Sequence, residues 1–349
     1  MKCKFTALLA AVLSLLLVLS GCGESPAGTS TPPANETGEP TLGEGAGYGN
    51  LQYLRMCSGT QGATWTIVGS AMMEFVNQSM DISASCGPGG AVANVNAVAN
   101  GENEMGWSFI STVASAINGT GAFEGQDPAS NLYHVMSIFP SQQHFVVAAN
   151  SDIQSMADLN GRIVNYTPTT ETSYTANVAV LNAYGITPDT IQGSGGTVTM
   201  TRFNEASELM KNGELDLWTA CIASPAATVS ELAFTPGIRF LNIDEDKIPT
   251  ILESLPGFMQ MTIPAGTYDG GDNDVLTIGT VGCIITNDSI PDDVIYDFLK
   301  VQYEHWEDLK AINPNAFGDL SVENWLDGAD DIPLHPGAER FYKEIGVLS

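Results

Sequence analysis

Apolar and polar positions along the chain follow two different patterns. Short, nearly continuous apolar runs alternate with longer segments in which apolar residues recur with a helical period. The short runs predict buried strands, and the longer segments predict amphipathic helices. The predicted strands are LQYLRM, DISASC, EMGWSFI, LYHVMSIF, HFVVAAN, RIVNY, VTMTRF, LDLWTAC, IRFLNI and VLTIGTVGCIIT. The predicted helices cover residues 66–80, 92–100, 157–160, 173–184, 204–212, 226–233, 291–312 and 337–345.

This order of elements predicts an α/β fold with parallel sheets. Two α/β units of similar size are joined near Asn150 and again near Ala265. We therefore expect two lobes, with residues 49–149 and 266–349 in lobe 1 and residues 150–265 in lobe 2. Ligands of open α/β sheets lie beyond the carboxyl ends of the strands, so a cleft between the lobes is the expected binding place.

The first 21 residues have the pattern of a lipoprotein signal peptide. Lys2 and Lys4 precede an apolar run over residues 5–19, and small residues follow it. The ending LSGC resembles a bacterial lipobox, in which cleavage before Cys22 and lipidation of its thiol hold the protein on the membrane surface. An ordinary secreted protein, in which Cys22 is incidental, is the alternative.

Residues 22–48 contain mostly Gly, Pro, Ser, Thr and Glu and little that a core would bury. This composition predicts a flexible tether. The expected location is extracytoplasmic, with a lipid anchor in the cell membrane and a folded body held away from it.

The net charge of the chain limits the classes of molecule that it can bind. The chain has 40 acidic and 12 basic residues, for a net charge of −28. Binding to a phosphate backbone needs clustered Lys and Arg, so nucleic acid is excluded as a partner. A small anionic ligand remains possible, because helix N-termini attract anions without any basic side chain.

The cysteines of the folded body predict no metal site, because their spacing does not match a zinc motif. Those cysteines are Cys57, Cys86, Cys221 and Cys283. A disulfide between Cys57 and Cys86 is favoured if the strands that they end are parallel neighbours, and four free thiols are the alternative. The run YDGGDNDV lacks the spacing of a calcium-binding EF-hand, so a solvated turn is expected there. No cofactor is expected.

Three strand-to-helix corners share one chemistry. They are SGTQGAT at residues 58–64, GPGGAVAN at 87–94 and TPTTETS at 167–173. Each offers backbone N–H groups at a helix start together with hydroxyl groups, and converging corners of this kind can hold a carboxylate. The alternative is steric, since glycine-rich turns commonly begin helices for backbone reasons alone. No GK[ST] sequence follows, so none of the corners is a phosphate loop.

The chain resembles the TAXI solute receptors of tripartite (TRAP-type) transporters over about residues 50–349. The segments that carry this resemblance are CSGTQGATWTIVG, GPGGAVANVNAVANGENEMGW, NSDIQSMADLNGRIVNY, NGELDLWTACIASPAATVSELA and IPLHPGAERFYKEIG. The resemblance implies a two-lobed (type II) periplasmic-binding-protein fold and a small organic acid or amino acid as ligand. It also implies a membrane permease, driven by an ion gradient, as partner.

Two departures from the family bear on the ligand. The family has Gln-Ser-Asp after the third strand, where residues 109–111 here read FIS, and a Gly-rich third loop, where residues 170–173 here read TETS. Phe109 replaces an amide by an apolar ring, and Glu171 would repel an acidic group or bind an ammonium. None of the five arginines lies in the three corners. This agrees with binding of the ligand by backbone N–H and hydroxyl groups.

The corners and the resemblance together give a set of expected ligand contacts. It contains Thr60, Gln61, Gly62, Thr64, Trp65, Gly89, Gly90, Ala91, Phe109, Thr170, Glu171, Thr172 and Ser224. The competing interpretations are helix capping for the threonines, core packing for Trp65 and Phe109, and a solvated loop for the third corner.

Three classes of function remain. A solute receptor is favoured, and a sensor ectodomain of the same fold is the alternative. An enzyme is not expected, because no set of nucleophile, base and orienting group stands out, and GWSFI lacks the second glycine of GxSxG.

Overall fold

The computed structural model describes residues 47–318 and 320–349. The predicted signal peptide, Cys22 and nearly all of the predicted tether lie outside those residues. In the part of the chain that is described, no helix has both the length and the apolar character needed to span a bilayer.

Most of the predicted segments form in the predicted order. The strands of the described residues are β1 Tyr53–Cys57, β2 Ser83–Gly87, β3 Met105–Phe109, β4 Leu132–Ala148, β5 Ile163–Asn165, β6 Thr197–Thr199, β7 Trp218–Ile222, β8 Ile238–Phe240, β9 Met259–Ile263 and β10 Val275–Asn287. The α-helices are α1 Thr64–Ser79, α2 Ala91–Ala99, α3 Ile110–Asn118, α4 Thr172–Ala183, α5 Pro188–Gly193, α6 Phe203–Lys211, α7 Ala227–Phe234, α8 Ile248–Glu253, α9 Asp292–Glu304, α10 Trp306–Ile312, α11 Pro314–Phe317 and α12 Pro336–Glu344.

The main sheet is mixed rather than parallel. Its order is β2-β1-β3-β10-β4-β7, with β8 paired to β4 and β9 paired to β10. Strands β1, β2 and β3 are parallel, whereas β10 is antiparallel to β3, β4 and β9, and β4 is antiparallel to β7 and β8. A separate two-stranded sheet, β5-β6, is parallel. The prediction of parallel sheets is correct for β1–β3 and β5–β6 and wrong for the remaining strands.

Two predicted boundaries are also wrong. LYHVMSIF and HFVVAAN form one strand, β4, which continues through Pro140. Proline is tolerated there because β4 pairs with β7 only from Gln142 onward, so the strand at Pro140 is paired to β10 alone. The helix predicted over residues 291–312 is divided at His305 into α9 and α10. Helices α3, α5, α8 and α11 and strand β9 were not predicted.

Four clusters of buried apolar residues form the core. Two of them draw on residues 54–139 and 281–342 and pack on opposite faces of the sheet around β1, β3 and β10. The other two draw on residues 145–278. Strands β4 and β10 contribute to both groups, so they run from one pair of clusters to the other. The boundaries of the two predicted lobes stay a prediction.

The predicted disulfide is absent from the structure, in which Cys57 and Cys86 are both free thiols. Their strands are parallel neighbours, as the prediction required, but Cys86 lies opposite Met56 rather than Cys57. Successive side chains of a strand point to opposite faces, so the two sulfurs lie on different sides of the sheet. The Sγ of Cys86 instead contacts the hydroxyl of Ser58 at 3.2 Å.

Candidate functional site

A cavity of about 100 Å³ lies at the first turns of α3 and α4. Helix α2, the turn after α3 and the segment between α8 and β9 complete its wall. The residues that line it are Val92, Ser111, Thr112, Ser115, Thr120, Gly121, Ala122, Phe123, Thr169, Thr170, Glu171, Thr172, Thr175, Ser254, Leu255, Pro256 and Phe258.

Ser111 has the most informative hydroxyl of this lining. Its residue is only 3% exposed, and its Oγ has no hydrogen-bond partner among the described residues. Its backbone N–H donates to Oγ1 of Thr280 at 3.1 Å, and its carbonyl accepts from the hydroxyl of Ser115 at 2.8 Å. A buried hydroxyl without a partner is costly unless something else satisfies it, so this group marks a place for a polar ligand or water.

The two helix starts at the cavity lack side-chain caps. Phe109 stands at the N-cap of α3 and Glu171 at the N-cap of α4, and neither side chain accepts a backbone hydrogen bond of its helix. Thr112 and Thr172 link the two first turns, with their hydroxyl oxygens 3.4 Å apart. In the first turn of α3 the N–H of Ser111 is already taken by Thr280, so the remaining first-turn N–H groups and the positive ends of the two helices are what the cavity wall offers an anion.

Glu171 carries the charge of the cavity wall. Its side chain is 20% exposed and lies 3.4 Å from the guanidinium of Arg202, which is 72% exposed. Burial raises the pKa of Glu171 above its ordinary value, and the nearby Arg202 opposes that shift. The structure thus brings an arginine to the third corner from outside the corner's own sequence.

The rest of the wall is largely apolar. Helix α2 contributes Val92 and the turn after α3 contributes Phe123. The segment that follows α8 contributes Leu255, Pro256 and Phe258. The cavity therefore combines a hydroxyl-rich and acidic side with an apolar side, which is the usual composition of a small-molecule site.

The first and second corners are fastened to each other. The N–H of Gly89 donates to the carbonyl of Gly59 at 2.9 Å. Buried Asn94 donates through Nδ2 to the carbonyls of Ser58 and Trp107, each at 2.6 Å. A Cβ at Gly89 would lie 2.0 Å from Oδ1 of Asn94, so this approach requires glycine. Asn94, the last residue of the second corner, was not predicted as a site residue.

The first corner does not line the cavity. The carbonyl of Thr60 accepts from the N–H of Ala63 at 2.9 Å and from the hydroxyl of Thr66 at 2.8 Å. Oγ1 of Thr64 accepts from Asn313 at 3.4 Å. Gly62 has φ of +79°, which glycine adopts without strain, so the turn itself accounts for it. Ligand contact by Thr60, Gln61, Gly62 and Thr64 stays a prediction.

The predicted aromatic pair is brought together. Trp65 meets Phe109 edge to face with ring centroids 4.7 Å apart, and it stacks on buried Trp107 at 5.5 Å. Both Trp65 and Phe109 are half-buried. The pair connects the first corner to the start of α3, although neither ring lines the cavity.

Ser224 belongs to a different network. Its hydroxyl lies 3.2 Å from Nε2 of His144, which is also 3.1 Å from the hydroxyl of Tyr268. Nδ1 of His144 lies 2.8 Å from the carbonyl of Gln142, and burial lowers the pKa of His144 to about 4. The imidazole is therefore neutral near pH 7, and this network positions the loop after β7 rather than lining the cavity.

The structure thus places Thr170, Glu171 and Thr172 together in the cavity wall. Gly89, Gly90 and Ala91 precede Val92 of the lining in the chain but are not part of the lining themselves. The hydroxyls of α3 were missed, because no helix was predicted there. The signal available in the sequence was the pair Ser111 and Thr112 directly after a strand, which is common at helix starts.

Comparison with known proteins places the chain in a family. Residues 56–346 match the model of the NMT1-like family. The chain belongs to the NMT1-like family. This match spans the three corners, the cavity and all five segments of the TAXI resemblance.

Solved structures share the fold of this NMT1-like protein. A putative periplasmic sulfonate-binding protein SsuA from Methylobacillus flagellatus KT has 12% identity and a TM-score of 0.50, covering 85% of this chain and 96% of that one. XAC2383 from Xanthomonas citri, bound to chloride ion, has 12% identity and a TM-score of 0.48, covering 85% and 97%. The aliphatic sulphonate binding protein SsuA from Escherichia coli has 13% identity and a TM-score of 0.46, covering 84% and 88%. The predicted fold class, an α/β periplasmic-binding-protein fold, is confirmed.

Proposed function

We propose that the protein is an extracytoplasmic solute receptor that binds a small organic acid or amino acid in the cavity between α3 and α4. The observation that carries this proposal is the buried hydroxyl of Ser111, which has no partner among the described residues, beside two helix starts whose N-cap side chains accept no hydrogen bond. Such a site presents hydrogen-bond donors to a carboxylate without a basic side chain. The NMT1-like family match and the shared fold support a binding role.

We further propose delivery of the solute to a TRAP-type permease from a position on the membrane surface. The support is the TAXI resemblance over residues 50–349 and the lipobox-like sequence that ends at Cys22. The two proposed lobes would close on the solute, and an ion gradient rather than ATP would drive its release into the permease. The sensor ectodomain remains the competing role for the same fold.

A thermal-shift screen of the purified full-length chain tests the binding role. The panel holds amino acids, dicarboxylates, 2-oxoacids and short fatty acids. A ligand that binds only the folded state at about 100 times its Kd adds about 2.7 kcal/mol to the free energy of unfolding. For a folded body of roughly 300 residues, that corresponds to a rise in Tm of about 4 °C.

One solute class is expected to raise Tm while the solute is recovered unchanged. Folded protein that shows no shift with any member of the panel would contradict the receptor proposal. Conversion of a bound solute to a product would instead make the protein an enzyme. Uptake by vesicles that contain the permease, driven by an imposed ion gradient without ATP, tests the delivery step.

A further inference from the structure

The described lining of the cavity contains an acidic side chain but no basic one. Among the described residues that line it, Glu171 is the only one with an ionisable side chain, and the others are hydroxyl-bearing, apolar or glycine. Its nearest cation, Arg202, is mostly exposed and is not part of the lining. A ligand that carried only carboxylates would therefore bring like charges together where solvent screens them poorly.

An ammonium group on the ligand would reverse that effect. It would pair with a carboxylate that is four-fifths buried and that Arg202 neutralises only in part, at 3.4 Å. The raised pKa of Glu171 agrees with this, because burial of the carboxyl outweighs the opposing charge of Arg202. The acidic side of the cavity thus favours an amine.

The side of the cavity that Ser111 and the start of α3 form favours a carboxylate group on the ligand. The hydroxyl of Ser111 is buried without a partner among the described residues, and the first turn of α3, in which Thr280 accepts from the N–H of Ser111, adds its positive end. Thr112 and Thr172 stand between this side and Glu171, with their hydroxyls 3.4 Å apart. Ser111 and Glu171 both line one small cavity, so a single small molecule can contact both residues.

The remaining surface and the volume limit the side chain of the ligand. The apolar side of the wall consists of Val92, Phe123, Leu255, Pro256 and Phe258. It offers no cation for a second carboxylate such as that of glutamate. The cavity of about 100 Å³ is smaller than the cavity of about 150 Å³ that accommodates benzene, so it leaves room only for a small side chain.

We propose that the ligand is a small amino acid with an apolar side chain, bound as a zwitterion. Its ammonium group lies on Glu171, its carboxylate on Ser111 and the start of α3, and its side chain against Phe123 and Phe258. This inference rests on the proposed receptor function and narrows its ligand class.

Four probes of matched shape test the proposal on the full-length chain by calorimetric titration. L-valine carries both charged groups, 3-methylbutanoate lacks the amine, 2-methylpropan-1-amine lacks the carboxylate, and L-glutamate adds a second carboxylate. Valine is expected to bind at least about tenfold more tightly than each of the others, since each lacks one partner or adds an unpaired charge.

Two variants test which residue contacts the ammonium group of the ligand and which contacts its carboxylate. Glu171→Gln is expected to weaken valine binding about tenfold or more and to leave binding of 3-methylbutanoate unchanged or improved. Ser111→Ala is expected to weaken valine and 3-methylbutanoate together, without affecting 2-methylpropan-1-amine. The matched controls are Glu214→Gln and Ser194→Ala, which alter exposed residues outside the cavity and should bind valine as the parent chain does.

The outcomes separate this inference from the receptor function. Tighter binding of 3-methylbutanoate or L-glutamate than of valine would overturn the zwitterion proposal and leave a receptor for organic acids. The same holds if valine binding survives Glu171→Gln unchanged. Failure of all four probes, and of the wider solute panel, would overturn both proposals.

Discussion

The first and third corners are alike in sequence but differ in how their polar groups are satisfied. Both follow a strand, begin a helix and are rich in threonine. In the first corner, Thr60 and Thr64 have hydrogen bonds to neighbouring residues through their carbonyl or hydroxyl oxygens. In the third corner, Thr170, Glu171 and Thr172 line a cavity, although the N-cap residue provides no side-chain cap in either corner.

The difference shows that small polar residues at a helix start are poor evidence for a ligand by themselves. What distinguishes the two corners is the set of donors left over once the protein's own hydrogen bonds are counted. Where the first two corners meet, Asn94 accepts from the N–H of Gly90 and donates to two backbone carbonyls. Across the cavity, Ser111 keeps a free hydroxyl.

The largest expected effect is on stability, at the junction of the first two corners. Asn94→Ala removes two donated hydrogen bonds and the acceptor for the N–H of Gly90. Buried groups left without partners cost about 1–3 kcal/mol each, so we expect the free energy of unfolding to fall by about 2–4 kcal/mol. Urea denaturation followed by circular dichroism measures the change.

The matched control is Asn118→Ala, at an exposed position at the end of α3. It should change the free energy of unfolding by no more than about 0.5 kcal/mol. A loss below about 1 kcal/mol for Asn94→Ala would show that the two corners hold together without this side chain.

The next effect is on ligand affinity and compares the two corners directly. Thr172→Val and Thr60→Val each exchange a hydroxyl for a methyl group. We expect Thr172→Val to weaken binding about five- to tenfold, the value of one hydrogen bond, because Thr172 lines the cavity. Thr60→Val should change affinity by less than about twofold.

Calorimetric titration with the solute that the thermal-shift screen identifies gives both values. A greater loss for Thr60→Val would reverse the comparison. It would place the ligand against the first corner, as the sequence analysis expected.

The smallest effect is the pH dependence that Glu171 contributes without ligand. Its folded-state pKa is raised above 4.5 by burial, so the folded protein binds this proton more tightly than the unfolded chain does. That contribution is fully present below pH 4.5 and is lost as pH rises through the raised folded-state pKa. Glu171→Gln should therefore gain roughly 1 kcal/mol or less over the parent chain between acid and neutral pH.

Denaturation midpoints across that pH range measure the gain. Glu214→Gln, at an exposed position, should show no such trend. A variant whose advantage shrinks as pH rises would mean that Arg202 outweighs burial at Glu171.

Much of the fold could be predicted because strand and helix periods differ clearly in this sequence. Strand β1 and helix α1 form close to the predicted limits, as do β2 and α2. The antiparallel strands could not be predicted, since an apolar run fixes burial but not the direction of the neighbouring strand. The single strand through Pro140 depends on which edge is paired, and that is a tertiary property.

The site was predicted less well than the fold. Helix α3 consists largely of small and β-branched residues, ISTVASAIN, and such residues give little helical signal on their own. Its burial against β10 and α2 stabilises it instead, and the cavity hydroxyls were missed with it. The third corner was predicted because it has polar groups and a helix start in its own sequence. Arg202 and Phe258 reach the site from distant parts of the chain.

The central position of β10 has a consequence for how the molecule can be assembled. Residues 275–287 lie between β3 and β4 in the sheet, yet they come after both by more than a hundred positions in the chain. During synthesis, the main sheet therefore cannot form completely until residues 275–287 have been added. Contacts between residues so far apart in the sequence make folding slow. A fragment that ends before Val275 would expose two unpaired strand edges, so neither half of this protein is a natural unit for expression or for recombination with a relative.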